Sequence, residues 1–166
     1  MENRIYGFQP VEDEHARILI VGSMPSVASL DASFYYGHPR NAFWPILAGV
    51  FSEKIPDTTQ EKKALLLKNR IALWDVYASC VRVGSLDSAI RAGEKNDFTS
   101  FFKAHPKIRA VLCNGDTAYR MFDKTVCPSI PVLRLPSTSP AYTKKFDVKF
   151  SAWKQALTEY LKEQSQ

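Results

Sequence analysis

The chain alternates between short aliphatic runs and longer segments in which apolar residues recur at helical spacing. Four of the runs, such as ILIV and AVLC, are almost free of polar side chains. A strand has this composition when both faces of its sheet are covered, because neither row of side chains meets water. The predicted strands are Ile18–Val21, Ile71–Val76, Ala110–Asn114 and Pro131–Leu135.

Between these runs, apolar residues recur every three or four positions, which is typical of amphipathic helices. Pro45 is tolerated only in or beside a first turn, so the first helix is expected to begin close to Asn41. The segments 52–63 and 91–97 are predicted to be polar connectors. The predicted helices are Ala42–Phe51, Gln60–Lys68, Phe98–Ala104, Thr117–Lys124 and Phe146–Gln164.

Strands that alternate with helices over short links predict an α/β fold. Four such strands indicate a three-layer α/β/α sandwich with a four-stranded parallel sheet. A length of 166 residues and a hydrophobic content of 45% fit a single domain over residues 1–166. The carboxyl ends of parallel strands lie along one edge of the sheet, so the loops there are expected to form one crevice.

Two loops at that edge carry most of the polar chemistry. The first, GSMPSVASLDASFYYGHPRNAFW, follows the first strand, and the second, LPSTSPAY, follows the fourth. Asp75 and Asn114 stand at the ends of the other two strands. Aromatic rings stack on bases, and small polar loops bind phosphates, so this combination favours a nucleic-acid ligand.

Charge and composition narrow the class of protein. A net charge of +5 mildly favours polyanionic partners. We expect no signal peptide and no membrane association, and hence a cytoplasmic protein, because no long apolar stretch occurs. Three widely spaced cysteines do not fit a zinc ribbon or a four-cysteine iron–sulfur cluster, so we expect no metal and no cofactor. Dinucleotide, P-loop and G-x-S-x-G motifs are also lacking.

The two loops resemble the uracil-DNA glycosylase superfamily of base-excision repair. The stretch YYGHPRNAFW is similar to the HP-x-N-x-FW segment of the mismatch-specific uracil/thymine-DNA glycosylases. The longer match, GSMPSVASL and YYGHPRNAFWPIL with LPSTSPA, is similar to the hypoxanthine (deoxyinosine) DNA glycosylase branch. The resemblance runs from Ile18 to the last helix, and it implies a four-stranded parallel sheet between helices.

The resemblance also implies roles for single residues. Gly22 leads the loop in which the superfamily places a water-activating Asp or Asn two residues later; Met24 stands there and cannot activate water. In the hypoxanthine branch the Asn of HP-x-N takes over, which makes Asn41 the implied catalytic residue. An amide has no useful basicity, so Asn41 would position water or hydrogen-bond the departing purine. Tyr36 corresponds to the aromatic that stacks on the flipped base, and Asp75 to the residue that reads its edge.

Asp75 favours a deaminated purine on separate chemical grounds. Hypoxanthine carries an N1–H donor beside its O6 acceptor, whereas the N1 of adenine is unprotonated. A carboxylate only accepts hydrogen bonds, so it favours hypoxanthine and rejects adenine.

The second loop is expected to hold the DNA backbone beside the lesion. By resemblance, its residues match the motif that grips the strand and fills the gap left by the flipped base. Ala141 and Tyr142 are equal candidates for the residue that fills the gap. The expected backbone contacts are Ser137, Thr138, Ser139 and Pro140, extended along the phosphates by Lys144, Lys145 and Lys149.

Each of these residues also has a purely structural alternative. Asn41 can cap the helix that follows it, and Asp75 can cap the segment after its strand. Tyr36 can be a core or rim aromatic, and His38 can hold the loop through backbone contacts. The hydroxyls of 137–139 can be ordinary turn formers, and the lysines can be a solvated face.

The sequence therefore predicts a monofunctional DNA glycosylase that flips a deaminated base, most of all hypoxanthine, and hydrolyses its N-glycosidic bond. Its expected partner is DNA containing a deaminated base, and we expect a monomer. Three alternatives stay open. They are a uracil or mismatch-specific glycosylase, a nucleic-acid-binding module of the same fold without catalysis, and a small-nucleotide hydrolase.

Overall fold

A computed structural model describes residues 3–162 of the chain, and these residues contain seven strands and six α-helices. The strands are β1 (Arg4–Tyr6), β2 (Ile18–Gly22), β3 (Ile71–Asp75), β4 (Tyr77–Val81), β5 (Arg91–Lys95), β6 (Ala110–Asn114) and β7 (Val132–Leu135). The helices are α1 (Val27–Ala32), α2 (Phe43–Val50), α3 (Thr59–Lys68), α4 (Phe98–Ala104), α5 (Asp116–Met121) and α6 (Phe146–Leu161).

The central sheet is parallel and has the strand order β3-β2-β6-β7. Every residue of β2 is buried; Ile18 and Ile20 belong to one hydrophobic cluster, and Leu19 and Val21 to another. Successive side chains of a strand point to opposite faces, so both faces of the sheet are covered. Helices α2, α3 and α6 contribute to the first cluster, and α4 and α5 to the second. The predicted three-layer α/β/α sandwich with a four-stranded parallel sheet is confirmed.

The nine predicted elements are present, with shifts at their ends. Helix α5 ends at Met121 and not at the predicted Lys124, because Phe122 is extended and a 3₁₀ turn follows at Lys124–Val126. The predicted connector 52–63 is too long, since α3 begins at Thr59. Helix α6 ends at Leu161, and the last two residues predicted to be helical, 163 and 164, lie outside the described residues.

A second, antiparallel sheet with the order β1-β4-β5 was not predicted. The prediction of a polar connector over 91–97 is wrong, because Arg91–Lys95 is a strand. All five of its residues are exposed, so no hydrophobic alternation marks it. Strand β4 begins one residue after the end of β3, and therefore the β4–β5 hairpin starts at the carboxyl edge of the central sheet. No helix of residues 3–162 combines the length and the apolar composition needed to cross a bilayer.

Candidate active site

A cleft of about 350 Å³ opens at the carboxyl edge of the central sheet. It is enclosed by the loop after β2, the ends of β3 and β6, the β4–β5 hairpin and the loop after β7. The structure thus brings together eleven of the residues that the sequence singled out, and it leaves Pro140, Lys144, Lys145 and Lys149 outside the lining. The eleven are Gly22, Met24, Tyr36, Asn41, Asp75, Asn114, Ser137, Thr138, Ser139, Ala141 and Tyr142.

Asp75 forms the floor of the cleft and is only 4% exposed. Burial raises the pKa of its carboxyl to about 7, and the negative charge of Asp87 adds to the rise. A hydrogen bond with the Gly22 backbone and the charge of Arg82 oppose this rise. The side chain therefore exchanges its proton near neutral pH and can either accept or donate a hydrogen bond.

Gly22 lets two polar groups meet at this floor. A Cβ at this position would lie 2.4 Å from Asp75 Oδ1 and 2.8 Å from the Tyr36 hydroxyl oxygen. Both distances are shorter than the 3.0 Å below which side-chain Cβ contacts are essentially never found. The absence of a side chain at Gly22 is therefore what allows the carboxyl and the phenol to approach the same point.

Tyr36 has a left-handed backbone conformation, with φ of 53°, which is uncommon for a residue other than glycine. Its ring packs on Phe43 with a centroid distance of 4.1 Å. Burial raises the pKa of its hydroxyl, and the charge of Asp75 raises it further. Asn114 lies beside this hydroxyl and lowers its pKa, but the oxygen has no well-formed hydrogen bond within residues 3–162. A buried hydroxyl without a partner is unusual and is suited to a bound ligand.

Asn41 lies on the wall of the cleft at the start of α2. Its Oδ1 accepts a hydrogen bond from the Phe43 N–H at 2.9 Å, so its side chain bonds to the first residue of α2, although the N-cap position itself is Ala42. This bond also fixes the amide orientation, because only the oxygen can face a backbone donor. The Nδ2 group makes no hydrogen bond in the described chain and retains its donors for the cleft.

Two further residues of the first loop have roles that the structure makes plain. Met24 is buried in the hydrophobic cluster on the α4–α5 side and contributes an apolar wall to the cleft. His38 Nδ1 accepts a hydrogen bond from the Arg40 N–H at 3.0 Å and does not line the cleft. The histidine thus holds the loop through the backbone.

Asn114, at the end of β6, joins its strand to the loop after β7. Its Oδ1 accepts from the Thr138 N–H at 2.9 Å, and its Nδ2 donates to the Thr138 hydroxyl at 3.0 Å. Thr138 is only 1% exposed, and its carbonyl accepts from the Ala42 N–H at 3.0 Å. Thr138 therefore links this loop to the end of β6 through its N–H and hydroxyl, and to the segment before α2 through its carbonyl.

Helix α6 fixes the same loop from behind. Trp153 Nε1 donates to the Pro136 carbonyl at 2.9 Å, and Lys149 Nζ donates to the Ser139 carbonyl at 3.1 Å. Lys149 is 5% exposed, and burial lowers the pKa of its ammonium group. The expectation that Lys149 extends along DNA phosphates is therefore wrong, because its charge is buried against the loop.

The loop after β7 presents two serine hydroxyls to the cleft. Ser137 Oγ accepts from the Ser139 N–H, and Ser139 Oγ accepts from the Ala141 N–H, each at 3.2 Å. Neither hydroxyl donates to another group within the described chain, so both O–H donors remain for a ligand. Lys144 and Lys145 are exposed and follow this loop along the chain.

The β4–β5 hairpin supplies lining residues that the sequence did not indicate. Ser85, Leu86 and Asp87 line the cleft, and Asp87 accepts a hydrogen bond from the Ser23 hydroxyl at 2.7 Å. These residues lie between two strands that the sequence did not predict, and no hydrophobic pattern distinguishes such a segment as part of a site. Within residues 3–162, no three His, Cys, Asp or Glu side chains are grouped in a way that would hold a metal ion.

Comparisons of the sequence and the fold with known proteins point to one family. A family model described as the Uracil DNA glycosylase superfamily matches residues 9–162. A protein from Methanosarcina acetivorans named Hypoxanthine DNA glycosylase is 44% identical over 113 residues, which are 68% of this chain and 72% of that protein. A protein of the same name from Methanosarcina barkeri is 39% identical over 110 residues, which are 66% of this chain and 70% of that protein.

A solved structure extends this likeness to the fold. It is the solution NMR structure of a Methanosarcina acetivorans protein that is provisionally described as a uracil DNA glycosylase. The two structures superpose with a TM-score of 0.80 at 34% sequence identity, over 94% of this chain and 99% of the other. Sequence and fold thus agree, and the chain belongs to the uracil DNA glycosylase superfamily.

Proposed function

We propose that the chain is a monofunctional DNA glycosylase that removes hypoxanthine from DNA by hydrolysing its N-glycosidic bond. The observation that carries the substrate choice is the buried Asp75 at the floor of the cleft. Two relatives named for hypoxanthine support the same choice. A base inside a duplex is out of reach, so the target nucleotide has to flip into the cleft.

The floor of the cleft is suited to the edge of a deaminated purine. Ionised Asp75 accepts the N1–H of hypoxanthine, and the donors nearby, the Tyr36 hydroxyl above all, suit its O6 acceptor. Adenine places an unprotonated N1 against the same carboxylate, which leaves two acceptors facing each other. Met24 adds an apolar wall that excludes water from the bound base.

Catalysis is assigned to Asn41. Its free Nδ2 donors suit the nitrogen of the departing purine, on which negative charge develops as the glycosidic bond breaks. Donors aimed at developing charge typically contribute about 10²–10³ in rate. The oxygen keeps one lone pair for a water proton, so the same amide can also orient the nucleophile.

The remaining features support the proposed DNA contacts. The O–H groups of Ser137 and Ser139 donate to backbone phosphates, and the exposed Lys144 and Lys145 extend this contact along the strand. None of the residues that line the cleft in the described chain is a lysine, so no Schiff base and no lyase step is expected. We propose that the enzyme acts in the cytoplasm as a monomer, without metal or cofactor.

The proposal is tested with labelled duplexes that carry hypoxanthine, xanthine, uracil or no lesion. Alkali then cleaves any abasic sites that the protein has made. Strand breaks at hypoxanthine that appear only after alkali are expected. Breaks at uracil alone would contradict the Asp75 argument, and no breaks with any substrate would leave a DNA-binding module of the same fold.

The role of Asn41 is tested by Asn41→Asp. A carboxylate still accepts the Phe43 N–H bond at the start of α2 but lacks the Nδ2 donors. Excision of hypoxanthine is expected to fall by about 10²–10³, with DNA binding and thermal stability close to those of the wild type. Activity equal to the wild type would refute the donor role and favour water positioning.

A further inference from the structure

The tip of the β4–β5 hairpin, residues 82–87, exposes two apolar side chains. Val83 is 85% exposed and Leu86 is 64% exposed. Neither belongs to a hydrophobic cluster of the described chain. A single exposed apolar residue needs no explanation, but two on one tip at the mouth of a cleft indicate a contact surface.

This tip is held rigidly against the first loop. Arg82 is buried, and its guanidinium donates to the carbonyls of Gly84 and Pro25. The Ser85 hydroxyl accepts from the Val27 N–H at 2.8 Å, and Asp87 accepts from Ser23. Arg82 Nη1 is buried without a hydrogen-bond partner within residues 3–162, so the position of the tip rests on its bonds to Pro25, Val27 and Ser23.

The tip also has a defined place relative to the cleft. Leu86 lines it, together with Asn41 and Ser137. The hairpin follows β3, and the loop with Tyr142 follows β7, and these two strands are the edges of the central sheet. The exposed apolar tip and the serine loop therefore come from the two opposite edges of the sheet and meet at one cleft.

We propose that the tip is a second DNA contact, in which Leu86 and Val83 pack against the sugars and base faces of the nucleotides that flank the flipped base. This inference rests on the proposed function. The argument for DNA as the occupant is continuity, because Leu86 lines the same cleft as Asp75, to which the flipped base is assigned. An apolar tip also suits base and sugar surfaces that become uncovered when a nucleotide leaves the stack.

The test compares Leu86→Ser, Val83→Ser and the control Ile55→Ser on a hypoxanthine duplex. Ile55 is 54% exposed and does not line the cleft. Its substitution therefore removes a similar exposed apolar side chain at a position away from the cleft. Affinity for the duplex is expected to fall about tenfold to a hundredfold for Leu86→Ser, in line with the loss of one buried leucine contact. A smaller fall is expected for Val83→Ser, and none for Ile55→Ser. The slope of log Kd against log salt is expected to stay at the wild-type value, since no phosphate contact is removed.

Wild-type affinity in both Leu86→Ser and Val83→Ser would overturn the inference. So would the loss of a dimer, seen by sedimentation, without any change in DNA affinity, because the tip would then bind a second copy of the chain. Excision of hypoxanthine by the wild-type protein is measured in parallel and tests the proposed function separately. Thermal unfolding of each variant confirms that a change in affinity reflects contact and not loss of fold.

Discussion

At the scale of single residues, the cleft is defined by polar groups that are buried from water but lack a full set of hydrogen-bond partners. Asp75 is buried with its pKa raised to about 7, and the Tyr36 hydroxyl beside it lacks a well-formed hydrogen bond. Gly22 makes their approach possible. Such groups recognise a ligand sharply, because a base of the wrong pattern leaves them unpaired at a cost of about 1–3 kcal/mol each.

The titration of Asp75 predicts a pH-dependent choice of base. Above pH 7 the carboxylate is ionised and accepts the N1–H of hypoxanthine, whereas below pH 7 the acid also gains an O–H that can donate to the N1 of adenine. The preference for hypoxanthine over adenine is therefore expected to rise from roughly pH 6 to roughly pH 8, on either side of that pKa. Single-turnover excision rates on matched duplexes measure it.

Asp75→Asn serves as the matched control for this titration. The amide cannot ionise and offers both a donor and an acceptor, so the preference is expected to lose its pH dependence. It is also expected to fall by about 1–3 kcal/mol, because an amide donor can pair with the N1 of adenine and so removes the cost of two unpaired acceptors facing each other. If the preference of Asp75→Asn for hypoxanthine over adenine still changed with pH as in the wild type, the titrating group would be another residue.

At the scale of elements, α6 acts as the support of the loop after β7. Trp153 and Lys149 donate to the carbonyls of Pro136 and Ser139 in this loop, and Asn114 of β6 bonds to Thr138 of the same loop. The loop therefore presents its serine hydroxyls from a fixed backbone, which lowers the entropy lost when a phosphate binds.

Lys149→Met tests this support. The substitution keeps a long side chain but removes the hydrogen bond to the Ser139 carbonyl. Excision efficiency is expected to fall by about tenfold or more, the value of a charged hydrogen bond of about 1.5–3 kcal/mol. The slope of affinity against salt is expected to stay unchanged, whereas a lysine that met a phosphate would lower it by about one unit. A lowered slope would therefore restore the phosphate-contact role for Lys149.

The elements that sequence could predict are those whose packing is visible in a short run of residues. Strands β2 and β6 are buried on both faces, so their composition alone identifies them. Strand β5 is wholly exposed and β1 has three residues, and their pairing with β4 depends on distant contacts. The hydrophobic pattern of the sequence therefore could not predict the second sheet or the cleft residues of its hairpin, Asp87 among them.

The same limit applies within the predicted site. The resemblance identified Asn41, Tyr36 and Asp75 as residues that meet at one place, and the structure brings them together at the cleft. It could not separate Lys149, which is buried, from Lys144 and Lys145, which are exposed, because all three are the same residue type within six positions. Burial of a lysine is set by the loop that covers it.

At the scale of the whole molecule, a chain with a net positive charge has acidic side chains in its cleft. The chain carries a net charge of +5, yet the cleft is lined by Asp75, Asp87 and Asp116. Asp116 is paired with Arg120 and Arg134, so its charge is partly neutralised. This distribution attracts the DNA backbone to the rim and repels phosphate from the base pocket.

The double variant Lys144→Ala/Lys145→Ala tests this distribution. Each lysine that meets a phosphate contributes about one unit to the slope of log Kd against log salt, so the double variant is expected to lower it by about two. The rate of excision at saturating protein is expected to stay close to the wild-type value. Lys107→Ala is the control, because Lys107 is exposed and precedes β6, at the amino edge of the sheet. An unchanged slope in the double variant would show that residues other than Lys144 and Lys145 contact the phosphates.

The buried carboxyl of Asp75 has one more consequence, which concerns binding equilibria. An acid whose pKa is raised in the folded protein holds a proton that an ordinary carboxyl would have released. A base that donates N1–H to Asp75 favours the ionised form, so near neutral pH the arrival of hypoxanthine expels that proton, and departure of the freed base brings one back. Hypoxanthine and the proton therefore compete for the carboxylate of Asp75.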